Sequence, residues 1–252
     1  VDPLDDFAAE TARLDALLVT LDEDQWASPS ACDGWSIADV VLHLAMSEEA
    51  VVASFEQGDS RMSVSDPSVS RAPIEGDGAV DAIMAALVEQ QRGEPGSAVR
   101  ERWQAAHAAS ITRLRQAGPD ERIPWVAVPL PARTLATTRL SEHWIHSLDI
   151  HEPLGVSLPE TDRLWHIARL AWRTLPYAFA EHDRTAPTVT LDLTSPSGEQ
   201  WVFGETDAAV HVSGSAGEWC RLAARRLRPG DTSLTAVGDD GAAVLELART
   251  YA

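Results

Sequence analysis

The spacing of apolar residues changes once along this chain, and that change limits the folds open to it. Before about residue 183 the apolar positions recur at helical intervals: Phe7, Leu14, Leu18 and Leu21 form one stripe, and Ile37, Val40, Val41, Leu44, Val51 and Phe55 form another. After it, residues 188–193 alternate with period two, Ser195 to Gly198 read as a turn, and residues 200–204 return as a partner strand. The expected class is therefore α+β, with a helical domain over residues 1–182 and a small α+β domain over residues 183–252.

Punctuation divides the helical part. Asp2-Pro3 opens a first helix over residues 3–21, and Ser36-x-x-Asp39 reads as a capping box starting a second that runs to about Gln57. Residues 58–78 are rich in Ser, Asp, Gly and Pro and read as a surface loop or lid. A third helical region, 79–115, is interrupted at Gly93 to Gly96, where Pro95 cannot continue a helix. The proline-locked segment Pro124 to Pro131 leads into a fourth helix, Ala132 to Ile150, and Thr161-Asp162 opens a fifth that Pro176 kinks or ends. In the C-terminal part a third strand is expected at 209–213, a helix at 215–228, a strand at 233–237 and a last helix at 242–250.

The fourth helix concentrates the candidate chemistry. At 3.6 residues per turn Glu142 and His146 stand one turn apart on one face, and Asp149 continues that stripe. Glu-x-x-x-His lets one helix give a divalent ion an oxygen and a neutral nitrogen, although the same spacing also serves as an ordinary helical pair. Arg139, three residues before Glu142, suits either a substrate carboxylate or an acidic neighbour. His43 falls on the flank of the second helix, either as a half-buried histidine or as a residue able to meet ligands from another helix. His107 and His166 read as structural, and most of the nine tryptophans as core.

Composition removes several classes. Aspartate and glutamate outnumber basic residues 39 to 20, a net charge of −19, which argues against nucleic-acid and anionic-membrane binders. Every basic residue is an arginine, so lysine Schiff-base chemistry is excluded. Cys32 and Cys220 lie far apart and form no CxxC, so both read as buried thiols. No apolar run reaches the roughly 18 residues of a membrane span and no signal segment is evident, so the expected location is cytoplasmic.

The run Gly34-Trp35-Ser36 through His43-Leu44-Ala45, followed about a hundred residues later by Glu142-x-x-x-His146-x-x-Asp149, resembles the mycothiol-dependent maleylpyruvate isomerase family. The likeness extends to Pro124-Trp125, Leu154-Gly155, the Trp201-x-x-Gly204 hairpin and the Arg225-Arg226 helix. It implies a DinB-like four-helix bundle in which His43, Glu142 and His146 bind one divalent ion, usually zinc, with a position left open. It implies mycothiol as thiol cosubstrate, and Asp149 beside the ligands, where a carboxylate orients an imidazole or takes a proton. Arg139 and Arg226 are the arginines expected to hold an anionic substrate. The implied activity is cis-trans isomerisation of the maleylpyruvate type or transfer of the thiol to a small molecule. A tailoring enzyme without thiol and a silent ligand-binding bundle remain as rivals, in a monomer or homodimer.

Overall fold

A computed structural model describes residues 2–57, 79–118, 120–125 and 128–250. The expected loop or lid at 58–78 lies outside the described residues. Contacts divide the chain into two compact units, Val1–Leu158 and Pro159–Ala252.

Four long helices make the first unit: α1 (Pro3–Leu18), α3 (Ile37–Gln57), α5 (Gly96–Gln116) and α6 (Ala132–His151). The closest pairings are α3 with α5 and α1 with α6, which gives the expected bundle. α1 begins as its sequence requires, with Asp2 accepting from the Leu4 amide at 3.0 Å and Pro3 in the first turn. The capping box before α3 is formed: the Ser36 amide donates to Asp39 Oδ2 (2.9 Å) and the Asp39 amide to Ser36 Oγ (3.2 Å). The interrupted third region resolves into α4 (Ala79–Gln91) and α5, which starts immediately after Pro95. Gly96 sits against the Trp26 indole so closely that a β-carbon there would lie 2.1 Å from the ring. Trp26 belongs to α2 (Glu23–Ala27), a five-residue helix with its own capping box at Asp22, too short to show as a period in the sequence.

Two short antiparallel strands, β1 (Arg122–Ile123) and β2 (Leu130–Pro131), lead into α6. From Thr138 to His151 every residue of α6 is buried. A helix enclosed on all sides normally carries apolar residues all round, yet this one carries Arg139, Glu142, His143, His146 and Asp149. Each must therefore find a partner inside the bundle.

The second unit holds α7 (Leu164–Ala180), which runs through Pro176, and a four-stranded sheet in the order β4-β3-β5-β6. Its strands are β3 (Val189–Thr194), β4 (Gln200–Phe203), β5 (Val210–Ser215) and β6 (Thr235–Val237). β3 and β4 form the expected hairpin, while β5 joins β3 in parallel. α8 (Ala216–Ala223) packs on α7, and Trp219 Nε1 donates to the Ala168 carbonyl at 3.2 Å. α7 therefore groups with the sheet, and the units divide at 158/159 rather than at the 182/183 expected from the change of period. The last helix is α9 (Gly241–Leu247). Among the described residues no helix is long and apolar enough to cross a membrane.

Candidate metal centre

Three buried side chains from two helices converge where α3 meets α6. His43 Nε2 lies 3.1 Å from Glu142 Oε2, and His146 Nε2 lies 3.7 Å from the same oxygen. The ligand atoms of all three residues fall within 4.8 Å of one another. The donors of a tetrahedral zinc site, each about 2.0–2.1 Å from the ion, stand roughly 3.3 Å apart. The two distances to Glu142 bracket that value.

The protonation of these groups also suits a cation. Asp149 Oδ2 lies 2.9 Å from His146 Nδ1, and a buried carboxylate can only accept there, so the ring proton sits on Nδ1 and the Nε2 lone pair faces Glu142. This is the arrangement by which a carboxylate fixes the tautomer of a metal-binding histidine. Burial pushes the His43 imidazole below its ordinary range, against the opposing hydrogen bond to Glu142, and so favours the neutral ring. Burial alone would raise the Glu142 carboxyl, but the hydrogen bond from His43, with the nearby Arg139 guanidinium adding to it, holds the group well below the usual carboxylate range. A carboxylate at Glu142 and a neutral ring at His43 are the states in which these groups ligate. His43 Nδ1 is buried without a hydrogen-bond partner, so it can carry the ring proton when Nε2 is engaged.

The loop before α3 closes this end of the bundle. Gly34, at φ +74°, makes the left-handed turn that brings Trp35 round to His43, with ring centroids 5.4 Å apart. The Ala31 amide donates to the Asp149 carbonyl at 2.9 Å, and Cys32 Sγ donates to Asp149 Oδ2 at 3.1 Å. Cys32 is thus a half-buried thiol at the candidate centre rather than the buried one expected. Cys220 is buried as expected, and burial raises its thiol well above the ordinary range.

Residues 7–151 match the family model described as the mycothiol maleylpyruvate isomerase N-terminal domain. The chain belongs to this family. The match runs from α1 to the last residue of α6 and takes in His43, Glu142, His146 and Asp149. Two relatives of the family member described here are uncharacterized proteins of Mycobacterium tuberculosis, from strains CDC 1551 / Oshkosh and ATCC 25618 / H37Rv. Each is 32% identical over 251 residues, covering 98% of this chain and 94% of the relative. Crystal structures of the mycothiol-dependent maleylpyruvate isomerase and of a histidine-to-alanine mutant of it share the fold. Each gives a TM-score of 0.61 at 19% identity, over 95% of this chain and 92% of theirs.

The other polar residues of α6 in this family member are engaged elsewhere. Arg139 is 2% exposed; its Nε donates to Glu48 Oε1 at 2.8 Å and its guanidinium lies 5.7 Å from the Trp125 ring centroid. Glu48 is the acidic neighbour that the sequence left unnamed, and its second oxygen accepts from Ser110. Nη2 of Arg139 is buried without a hydrogen-bond partner. Arg226 lies in the second unit, is exposed, and donates to the Ala224 carbonyl at 3.0 Å. His143 accepts from Trp103 Nε1 at 3.0 Å through Nε2, so its Nδ1 carries the proton and donates to the Arg139 carbonyl at 2.9 Å. His107 stacks edge-on against Phe7 at 4.6 Å, in the structural role expected.

Burial is the first cause that lowers His143, His107 and His151 below the ordinary imidazole value of 6.5. Below that pH the unfolded chain takes up protons that the folded one refuses. Their stabilising effect is therefore complete above pH 6.5 and lost as the pH falls toward the folded-state values. Urea midpoints are expected to fall on acidification from about pH 7.5 to about pH 5.5, by at most about 1.4 kcal/mol per pH unit for each histidine. A midpoint that rises over this interval contradicts the assignment.

Proposed function

We propose that this chain is a divalent-metal-dependent, thiol-using enzyme that isomerises a small cis-unsaturated acid of the maleylpyruvate type with mycothiol as cosubstrate. The observation that carries the proposal is the convergence of His43, Glu142 and His146, with Asp149 fixing the tautomer of His146. Three protein ligands leave a coordination position open, as catalytic rather than structural zinc sites do. Zinc is the proposed ion; when bound, it supplies the acidity that turns an ordinary thiol, with a pKa near 8.5, into a thiolate at neutral pH.

The residues of the chain set up that chemistry. Glu142 is the one carboxylate among the three proposed ligands, so the ligand set alone does not neutralise a divalent ion that an incoming thiolate would meet. Asp149, 1% exposed, holds His146 in the ligating tautomer through Oδ2. Trp35 and the loop at residues 28–36 cover one side and limit access of water to His43. The thiolate sulfur then bonds to one carbon of the cis double bond while the π pair moves onto the conjugated carbonyl oxygen as an enolate; rotation follows about the resulting single bond, and return of that pair expels the thiolate and restores the double bond in the trans form. No lysine or catalytic cysteine is needed, which suits a chain without lysine. An anionic substrate is proposed to meet Arg139, whose Nη2 has no hydrogen-bond partner and which lies three residues before Glu142 on the same helix.

Incubation of the zinc-loaded protein with maleylpyruvate, with and without mycothiol, tests the reading. Trans product that depends on both zinc and thiol is the expected result. A stable thiol conjugate instead would identify an S-transferase that stops after addition, and product without thiol, or none with it, would remove the isomerase assignment. Asp149→Asn is expected to lower zinc affinity by about 10–100-fold, because the replacement no longer fixes the Nδ1 proton of His146. Unchanged affinity in competition with a chromophoric chelator would show that Asp149 has no such role.

A further inference from the structure

His146 presents its two ring nitrogens to two different sets of donors. Nε2 faces Glu142 and His43, while Nδ1 lies 2.9 Å from Asp149 Oδ2 and 3.8 Å from Cys32 Sγ. Sγ and Oδ2 are themselves 3.1 Å apart. The ligand atoms of Cys32, His146 and Asp149 thus form a second group within 4.8 Å. Nitrogen, oxygen and sulfur around one tetrahedral ion stand about 3.3–3.6 Å apart, and the edges of this triangle, 2.9, 3.1 and 3.8 Å, fall on either side of that range, so shifts of a few tenths of an ångström would seat an ion on it. One backbone bond ties the loop to the helix, the Ala31 amide donating to the Asp149 carbonyl at 2.9 Å, and within the loop the Cys32 amide donates to Ser30 Oγ at 3.1 Å. Cys32 is only half-buried, so the residue borders solvent.

We propose that Cys32, Asp149 and Nδ1 of His146 form a second metal position, selective for thiophilic cations, whose occupation excludes an ion from the His43–Glu142–His146 centre. Selectivity follows from the donors: a thiolate favours soft ions, whereas the first set offers only nitrogen and oxygen. Exclusion follows from the imidazole, because a neutral ring has one lone pair. Coordination through Nδ1 moves the ring proton to Nε2, which then directs N–H toward Glu142. The Cys32 proton leaves to solvent as the metal–sulfur bond forms. A soft ion would therefore remove His146 from the first centre without displacing it. The exclusion rests on the proposed zinc centre; the second position itself rests on its own three distances.

Cadmium and zinc titrations of the full chain, its Cys32→Ser and Cys32→Ala variants and its His43→Ala variant test this. Wild type is expected to develop ultraviolet thiolate-to-cadmium absorption saturating at one ion per chain, and to lose bound zinc in step with it. Both Cys32 variants should lose the absorption and keep their zinc, while His43→Ala should keep the absorption and lose zinc. Cadmium binding to wild type without thiolate absorption, or absorption that survives in both Cys32 variants, would overturn the second position. Zinc and cadmium bound together on one chain would overturn the exclusion. If wild type holds no zinc yet shows the Cys32-dependent absorption, the reading of the first centre fails and the second position stands.

Discussion

Replacing Glu142 with alanine is expected to lower zinc affinity by more than about 100-fold, beyond the range reached by losing a group that merely orients a ligand. Glu142 is the one negatively charged member of the set and the oxygen to which both imidazoles are directed, at 3.1 and 3.7 Å. Its loss leaves two neutral imidazoles, His43 and His146, with no anion between them. The effect is readable on stability as well as on binding. Zinc at 100 times its dissociation constant should stabilise wild type by about 2.7 kcal/mol and the variant hardly at all. Glu56→Ala is a suitable control, since that carboxylate pairs with Arg113 at the surface. Equal zinc-dependent shifts in melting temperature for wild type and Glu142→Ala would place the ion elsewhere.

Arg139→Ala is expected to destabilise the first unit by about 3–5 kcal/mol, the usual cost of leaving one half of a buried ion pair. Glu48 is fully buried, and its remaining partners would be the hydroxyl of Ser110 and the Nδ1 edge of His143 at 3.8 Å. A chain with both Glu48→Gln and Arg139→Met removes the charge together with its counter-charge, and should recover much of the loss. Urea unfolding of Glu48→Gln, Arg139→Met and the double variant measures the coupling. A single variant as stable as wild type would mean that the pair contributes no net stability. This network also raises the barrier to moving Arg139, because the same guanidinium lies against Trp125 and next to the turn that carries Glu142.

The parts of this architecture that the sequence showed are those set by neighbours along the chain. Glu142, His146 and Asp149 share a helix face by spacing alone, and the Ser36–Asp39 box and the Pro95 break set the starts of α3 and α5. Contacts across helices left no such trace. Cys32 meets Asp149 across 117 residues, and Glu48 meets Arg139 across 91, so no local period announces either pair. The position of Cys32 just ahead of Asp33-Gly34-Trp35 was the available signal, because a loop that begins a site-bearing helix at His43 must lie near the site. The division between units was misplaced for a related reason. α7 has helical periodicity like the bundle helices, but its apolar side packs on α8 rather than on another long helix. His43 remained ambiguous on its own helix because only a partner on α6 defines it as something other than a flanking histidine.

Crystals soaked in zinc and recorded on both sides of the zinc absorption edge would locate the ion. One strong anomalous peak is expected, bounded by His43 Nε2, Glu142 Oε2 and His146 Nε2, with His146 Nδ1 still bonded to Asp149. A zinc-loaded chain with its peak away from these three atoms, or no peak at saturating zinc, would contradict that placement.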